Sequence, residues 1–257
     1  MSTTVSPRPA GQVRAGLPVA GTPCRRPADG VWTADGPLDH WAAVAPDRAD
    51  LDAARALAPR RAEEFLAGRA LLRRLLTALL PELATSPVVR EPRGRPVLAA
   101  APGVGISVSH DGDRVAAAVA PGRRVGVDLQ QVPDEVSSRL LRRCLRERAA
   151  ALAPWPAGRR AAELAWVWTV QEACVKAEGT GLAGLPWRID VPVGAERGRW
   201  RGLRWISLRG RSAVPLSCAY SDPGADPTAR DLMIREPGAR DPRTFDPRTF
   251  DLETPCT

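Results

Sequence analysis

Apolar residues recur along the middle of the chain with two different periods, and each period predicts its own kind of element. Over residues 59–80, Phe65, Leu66, Leu72 and Leu76, with Arg69 on the same stripe, fall three or four apart; this is one face of a helix, and Pro81 stops it. Short apolar runs at 97–98, 104–108, 115–119 and 126–129 follow. They are bounded by Gly, Pro and Asp, as strands are, and a hairpin-sized gap at 110–114 separates the second from the third. Two further helices are predicted over 137–152 and 161–178, the second ended by Gly179, and then closing strands over 203–208 and 213–219. Helix then strands, twice over, predicts an α+β fold of two halves, 31–122 and 123–221. Residues 1–30 are rich in Pro, Gly, Ser and Thr without periodicity and predict a disordered arm. Residues 222–257 predict a disordered tail, in which DPRTF at 241–245 is repeated at 246–250.

Composition narrows the class. With 257 residues, 44% hydrophobic and 26% charged, the chain has the makings of a globular core. No run approaches the ~20 apolar residues of a membrane span: the best, 70–83, is broken by Arg73, Arg74 and Pro81. No apolar leader core opens the sequence, so a cytoplasmic protein is expected. Five cysteines, an odd number without CxxC spacing, predict free thiols, and two histidines exclude a histidine-rich metal centre. The net charge of +8 suggests a polyanion partner, but every basic side chain except Lys176 is arginine, scattered through a Pro- and Gly-rich chain with no recognition module. That pattern is what GC-rich codons produce, and it counts against nucleic-acid binding.

The candidate chemistry gathers around that one lysine. Trp168, Glu172 and Lys176 recur every four residues on one face of the 161–178 helix. An ordinary Glu–Lys pair at this spacing is worth only ~0.2–0.5 kcal/mol. In a chain that uses arginine almost everywhere, the single ammonium marks a place where a compact, titratable charge is required. Asp128, in VGVDLQQV, is either a turn former or, with Glu172, one of two oxygen ligands of the kind Mg²⁺ prefers. Gln130 would face the same side of the strand, coordinating through its amide oxygen or holding a metal-bound water, without adding charge. Upstream, ISVSHDG presents Ser109 and His110, and Arg61, Arg69 and Arg95 add donors. Arg, Ser and His donors beside two carboxylates describe a site for a polyphosphorylated small molecule. Neither GxxxxGK[ST] nor a strand followed by GxGxxG supplies the phosphate cradle.

These residues carry a family resemblance. GVDLQ, followed by WTVQEACVKAEGTGL, resembles the two signature motifs of the Sfp-type 4′-phosphopantetheinyl transferases, approximately G-[IV]-D-x-E and W-[ST]-x-K-E-[AS]-x-x-K-x-x-G-x-G. RGRPVL resembles the family's GKP segment, VSHDG its SHS segment, and RRAEEFLAGRALLR its arginine-bearing first helix. The resemblance implies a monomer of two similar α+β halves related by a pseudo-twofold. It also implies transfer of the phosphopantetheine arm of coenzyme A to a serine of an acidic apo acyl or peptidyl carrier protein, releasing 3′,5′-ADP, with Mg²⁺ or Mn²⁺ as cofactor. Carried over by position, Asp128 and Glu172 would hold the metal, Glu172 would be the base for the serine, and Lys176 would neutralise phosphate charge. Arg61, Arg69, Arg95, Ser109, His110 and Lys176 would grip coenzyme A. Two positions depart from the pattern. Gln130 stands for the family's second acid, which implies weaker metal binding and predicts that Gln130→Glu lowers the Mg²⁺ concentration for half-maximal rate. Gln171 stands for a lysine, which implies a positive charge lost from the phosphate region.

Helix 137–152 carries Arg139, Arg142, Arg143, Arg146 and Arg148 against the single acid Glu147. Arg142 and Arg143 would dock an acidic carrier, or the face is simply solvated, and charge patterning alone does not choose. The sequence also leaves open whether carriers of fatty-acid, polyketide or nonribosomal peptide biosynthesis are used. Two other classes stand beside the transferase: a non-catalytic coenzyme A-binding regulator, with Gln130 as its mark of decay, and a basic nucleic-acid-binding protein. Retention of Asp128, Glu172 and Lys176 together argues against the regulator.

Overall fold

The computed structural model describes residues 24–224. Residues 24–30, read from the sequence as the end of an arm, form instead the edge strand β1 (Cys24–Ala28) and a turn at Gly30 into β2 (Val31–Pro37). CRRPA has no apolar alternation because it is held by backbone pairing and by Arg25, whose guanidinium meets the buried Asp35. The remainder of the arm, and the tail with its repeat from residue 225 on, lie outside the described residues.

Two short helices, α1 (Leu38–Ala42) and α2 (Arg48–Ala54), lead to the long α3 (Pro59–Leu79). Pro59 suits the first turn, where its missing N–H leaves no intrahelical bond unmade. The stripe Leu71, Leu72, Leu75, Leu76 and Leu79 is buried against Trp32, Trp41, Leu98 and Ile106, and truncating one such leucine to alanine costs about 2–5 kcal/mol. Strands β3 (Val88–Arg90), β4 (Pro96–Leu98), β5 (Val104–Asp111) and β6 (Arg114–Pro121) complete an antiparallel sheet in the order β1-β2-β6-β5-β4-β3. The β5–β6 hairpin turns at Gly112, φ +58°, tighter than the 110–114 gap suggested. Ser109, His110 and Asp111 are therefore strand residues.

The second half runs β7 (Val125–Leu129), α4 (Ser138–Leu145), α5 (Ala157–Glu178), β8 (Arg197–Trp200), β9 (Leu203–Ser207) and β10 (Leu216–Ser221). Its strands pair antiparallel in the order β7-β10-β9-β8, and α5 lies across β7 and β10. The helix expected over 137–152 is α-helical only to Leu145. Arg146 takes φ +55°, and Arg146–Leu152 continues as a 3₁₀ segment. Ser137 caps α4 by accepting from Leu140 N, and Gly179 ends α5 in the left-handed region, where glycine meets no Cβ penalty.

Strand β6 joins the halves. Val115, Ala117 and Val119 face the α3 core, while Ala116, Ala118 and Ala120 face Val125, Val127, Leu129, Leu216 and Cys218 of the second half. A run of alanines on the inner face lets the two sheets approach closely, and Ser107 Oγ accepts from Val127 N at 3.0 Å across the seam. The result is the expected α+β fold: each half lays its longest helix on an antiparallel sheet, and β5 and β7 lie side by side between them. Among the described residues no helix is long and apolar enough to cross a membrane. Cys144, Cys174 and Cys218 are free thiols there, and Cys256 lies outside.

Candidate active site

Helix α5 crosses β7 at Gly126. A Cβ there would stand 2.1 Å from Ala173 O and 2.5 Å from Ala177 N, so only glycine lets helix and strand come this close. Two residues along the same strand face is Asp128, and Glu172 and Lys176, one turn apart on α5, immediately precede Ala173 and Ala177. These three side chains converge, with β5 and α3 opposite, on a cavity of about 520 Å³, within the range of small-molecule sites.

Ser109 of β5 ties the halves together at that point. Its hydroxyl donates to Asp128 Oδ1 at 2.7 Å and accepts from Lys176 Nζ at 2.9 Å. Lys176 Nζ also donates to Asp128 Oδ1 at 2.6 Å and to Val127 O at 3.2 Å. The Ser109 hydroxyl, expected to grip a ligand, is thus engaged in holding Asp128 and Lys176. Burial pushes the Asp128 carboxyl above the usual carboxylate range against the opposing pull of Lys176. Glu172 is pushed up to about 7, first by burial and then by the neighbouring Asp128 charge, and its Oε1 is buried with no hydrogen-bond partner among the described residues. Trp168 packs on the core of the second half and also lines the cavity.

The α3 side supplies the cations. Arg61 Nη1 donates to His110 Nε2, which places the imidazole proton on Nδ1, facing Glu64 Oε2 at 3.4 Å. Burial and then the Arg61 charge hold His110 below its ordinary value, so it is neutral at pH 7. Arg69 is 7% exposed, with its guanidinium 4.9 Å above the Phe65 ring and Nε 3.6 Å from Asp50. Burial lowers it to about 10, still charged at pH 7, and its Nη1 is buried without a hydrogen bond among the described residues. Arg95 makes a two-pronged bond with Glu91, both contacts 2.9 Å, and its stem lies beside Gly179. It is not among the lining residues, whereas its neighbours Arg90 and Arg93 are.

The two glutamines occupy different surroundings. Gln130 donates through Nε2 to Asp111 Oδ2 at 2.7 Å. Gln171, read as a gap in the charge around the phosphates, is fully buried away from the cavity; its Nε2 donates to Cys144 O at 2.8 Å and Ile189 O at 2.9 Å, tying α5 to α4. A lysine there would have to bury its ammonium in that seam. Arg142 and Arg143 sit exposed on α4, the latter with its guanidinium 3.9 Å over the Trp187 ring. Sequence reasoning missed Glu64, Arg90, Arg93, Asp111 and Gly126. Only Gly126 left a signal, as a glycine inside a strand.

Residues 48–120 match the 4′-phosphopantetheinyl transferase N-terminal domain family, and residues 124–212 match the 4′-phosphopantetheinyl transferase superfamily. The two matches meet at the seam between β6 and β7, so the cavity draws on both. Comparison with curated proteins finds no match.

Proposed function

The chain belongs to the 4′-phosphopantetheinyl transferase superfamily, and from that premise we propose that it is an Sfp-type enzyme that moves the phosphopantetheine arm of coenzyme A onto a serine of an acidic apo carrier protein and releases 3′,5′-ADP. The observation that carries the reading is the convergence of Asp128, Glu172 and Lys176 on one cavity, joined through Ser109.

The residues present fit a divalent cation. Glu172 offers a buried oxygen without a partner beside the Asp128 carboxylate. Among the described residues no three His, Cys, Asp or Glu side chains converge to cage an ion. The oxygen donors of Asp128 and Glu172 are of the kind Mg²⁺ or Mn²⁺ takes, with waters and phosphate oxygens completing their ligands. Such an ion supplies charge neutralisation on the pyrophosphate. Glu172, which lines the cavity beside Asp128 and Lys176, serves as the base that accepts the serine proton. The serine oxygen then forms the new P–O bond as the bond from that phosphorus to the 3′,5′-ADP oxygen breaks. Lys176 swings from Asp128 onto the phosphate and stabilises the charge that develops there. Arg61, His110 and Arg69 face the nucleotide, and Arg90 and Arg93 take the place assigned to Arg95. Arg142 and Arg143 on α4 receive the acidic carrier. The protein acts as a cytoplasmic monomer on carriers of fatty-acid, polyketide or nonribosomal peptide assembly.

The test is incubation of apo carrier with coenzyme A and Mg²⁺, reading carrier mass and 3′,5′-ADP together. A phosphopantetheine adduct with an equal yield of 3′,5′-ADP is expected. Coenzyme A bound with no adduct across several carriers would leave a non-catalytic binder, and neither binding nor adduct would overturn the assignment.

A further inference from the structure

Gln130 occupies the position where the family pattern has an acid, and on charge count alone Gln130→Glu should improve metal binding. The contacts at that side chain reverse the expectation. Asp111 ends β5 in the first half and reaches across to the end of β7 in the second, where its Oδ2 accepts from both Gln130 Nε2 and Gln131 N at 2.7 Å. A carboxylate can only accept, so the Gln130 nitrogen is the atom that faces it. Gln130 Oε1 therefore points the other way. It accepts from none of the described residues, and Gln130 and Asp111 both line the cavity with Asp128 and Glu172. The hairpin around Asp111 is clamped: Gly112 leaves room for the Gln131 amide, whose Nε2 donates to Asp113 Oδ1 at 2.5 Å. Asp111 is near enough for its charge to act on Asp128, yet it completes no three-acid cluster among the described residues. It stands behind Gln130 rather than beside the other two acids.

We propose that Asp111 and Gln130 work as one unit in place of the missing acid: Asp111 is a positioning residue that supplies the third negative charge and holds the Gln130 amide so that its Oε1 is presented to the cation. This rests on the transferase reading above. It follows that Gln130→Glu sets two carboxylates against each other at 2.7 Å and gains nothing, although it restores the family's residue. Asp111→Asn keeps an oxygen that can accept from Gln130 and Gln131 but removes the charge. In Asp111→Asn/Gln130→Glu the repulsion between two carboxylates is removed and the negative charge sits on residue 130, but the introduced amide can donate to it only by giving up the bond from Gln131 N.

The experiment is Mn²⁺ binding to the full-length protein saturated with coenzyme A, followed by electron paramagnetic resonance of free Mn²⁺, with the metal-free melting temperature measured alongside. Asp111→Asn and Gln130→Glu should each weaken Mn²⁺ about 10-fold or more, the usual effect of removing a partner that orients a ligand. The double variant should recover part of the affinity that Gln130→Glu loses, because the facing carboxylates are gone while the bond from Gln131 N is not fully kept. Wild-type affinity in Asp111→Asn, tighter binding in Gln130→Glu alone, or a double variant no better than Gln130→Glu overturns the proposal. If those results appear while Asp128→Ala still abolishes Mn²⁺ uptake, the transferase reading stands and only this pairing fails. If the wild type takes up no Mn²⁺ with coenzyme A present, both fall.

Discussion

Gly126→Ala adds a single methyl group to the strand beneath α5, and the structure says where that carbon must go. It would lie 2.1 Å from Ala173 O, 2.5 Å from Ala177 N and 3.0 Å from Lys176 Cβ, against a resting separation of about 3.5 Å for non-bonded heavy atoms. Two of these neighbours are backbone and cannot rotate aside, so helix and strand must part by about 1 Å at this point. Overpacking of this kind costs about 1–3 kcal/mol, which in a body of this size lowers the melting temperature by several degrees. The larger effect is on the site. The 2.6 Å contact between Lys176 and Asp128 spans the same gap, and a displacement of about 1 Å in a catalytic group costs on the order of 10²-fold in rate. Steady-state transfer of a labelled coenzyme A arm to apo carrier should show kcat down about 100-fold. Gly158→Ala is the control: it sits exposed at the start of α5, and its Cβ meets nothing within 4 Å, so rate and melting temperature should hold. Wild-type kcat in Gly126→Ala would refute the link between this packing and the site, even if the protein melted earlier.

Lys176→Arg keeps the charge but offers a planar fork to a slot shaped by Ser109 Oγ, Val127 O and Asp128 Oδ1, all within 3.2 Å of Nζ; kcat should fall at least ~10-fold, and unimpaired turnover would make the lone lysine an accident of composition. With Glu172 at about 7, a metal must displace a proton below that pH, so Mn²⁺ affinity at saturating coenzyme A should be level above about pH 7.5 and fall up to ~10-fold per pH unit below about 7. A pH-independent affinity would contradict the burial of Glu172. Charge reversal at Arg142 and Arg143 should raise KM for carrier several-fold while sparing that for coenzyme A; no change in either would return α4 to an ordinary solvated face.

The two long helices were legible because α3 and α5 bury continuous stripes, and helical periodicity survives in any sequence that does so. Strands β1, β3 and β8 were not, since CRRPA, VVR and RGRW carry no alternation of buried and exposed apolar positions; pairing with a neighbour makes them strands. Strand β2 hides for another reason: Thr33 and Asp35 are buried polar residues, the latter answered by Arg25 and Arg114 from two other strands. In the site, Asp128, Glu172 and Lys176 could be read from their periods. Gln171 could not be judged by its position in the family pattern, because one residue along a helix turns the side chain by about 100°, here from the cavity into the seam with α4. Asp111 gave no local sign, as its partners Gln130 and Gln131 are distant in sequence and meet it only when the halves close.

If Asp128 and Glu172, brought together on one cavity, support transfer from coenzyme A, loss of either carboxylate must end it. The most direct measurement compares wild type, Asp128→Ala and Glu172→Gln by the mass of apo carrier after incubation with coenzyme A and Mg²⁺, each protein first shown to be folded. A phosphopantetheine adduct is expected with wild type and none with either variant; full transfer by either variant would overturn the role proposed for the two carboxylates.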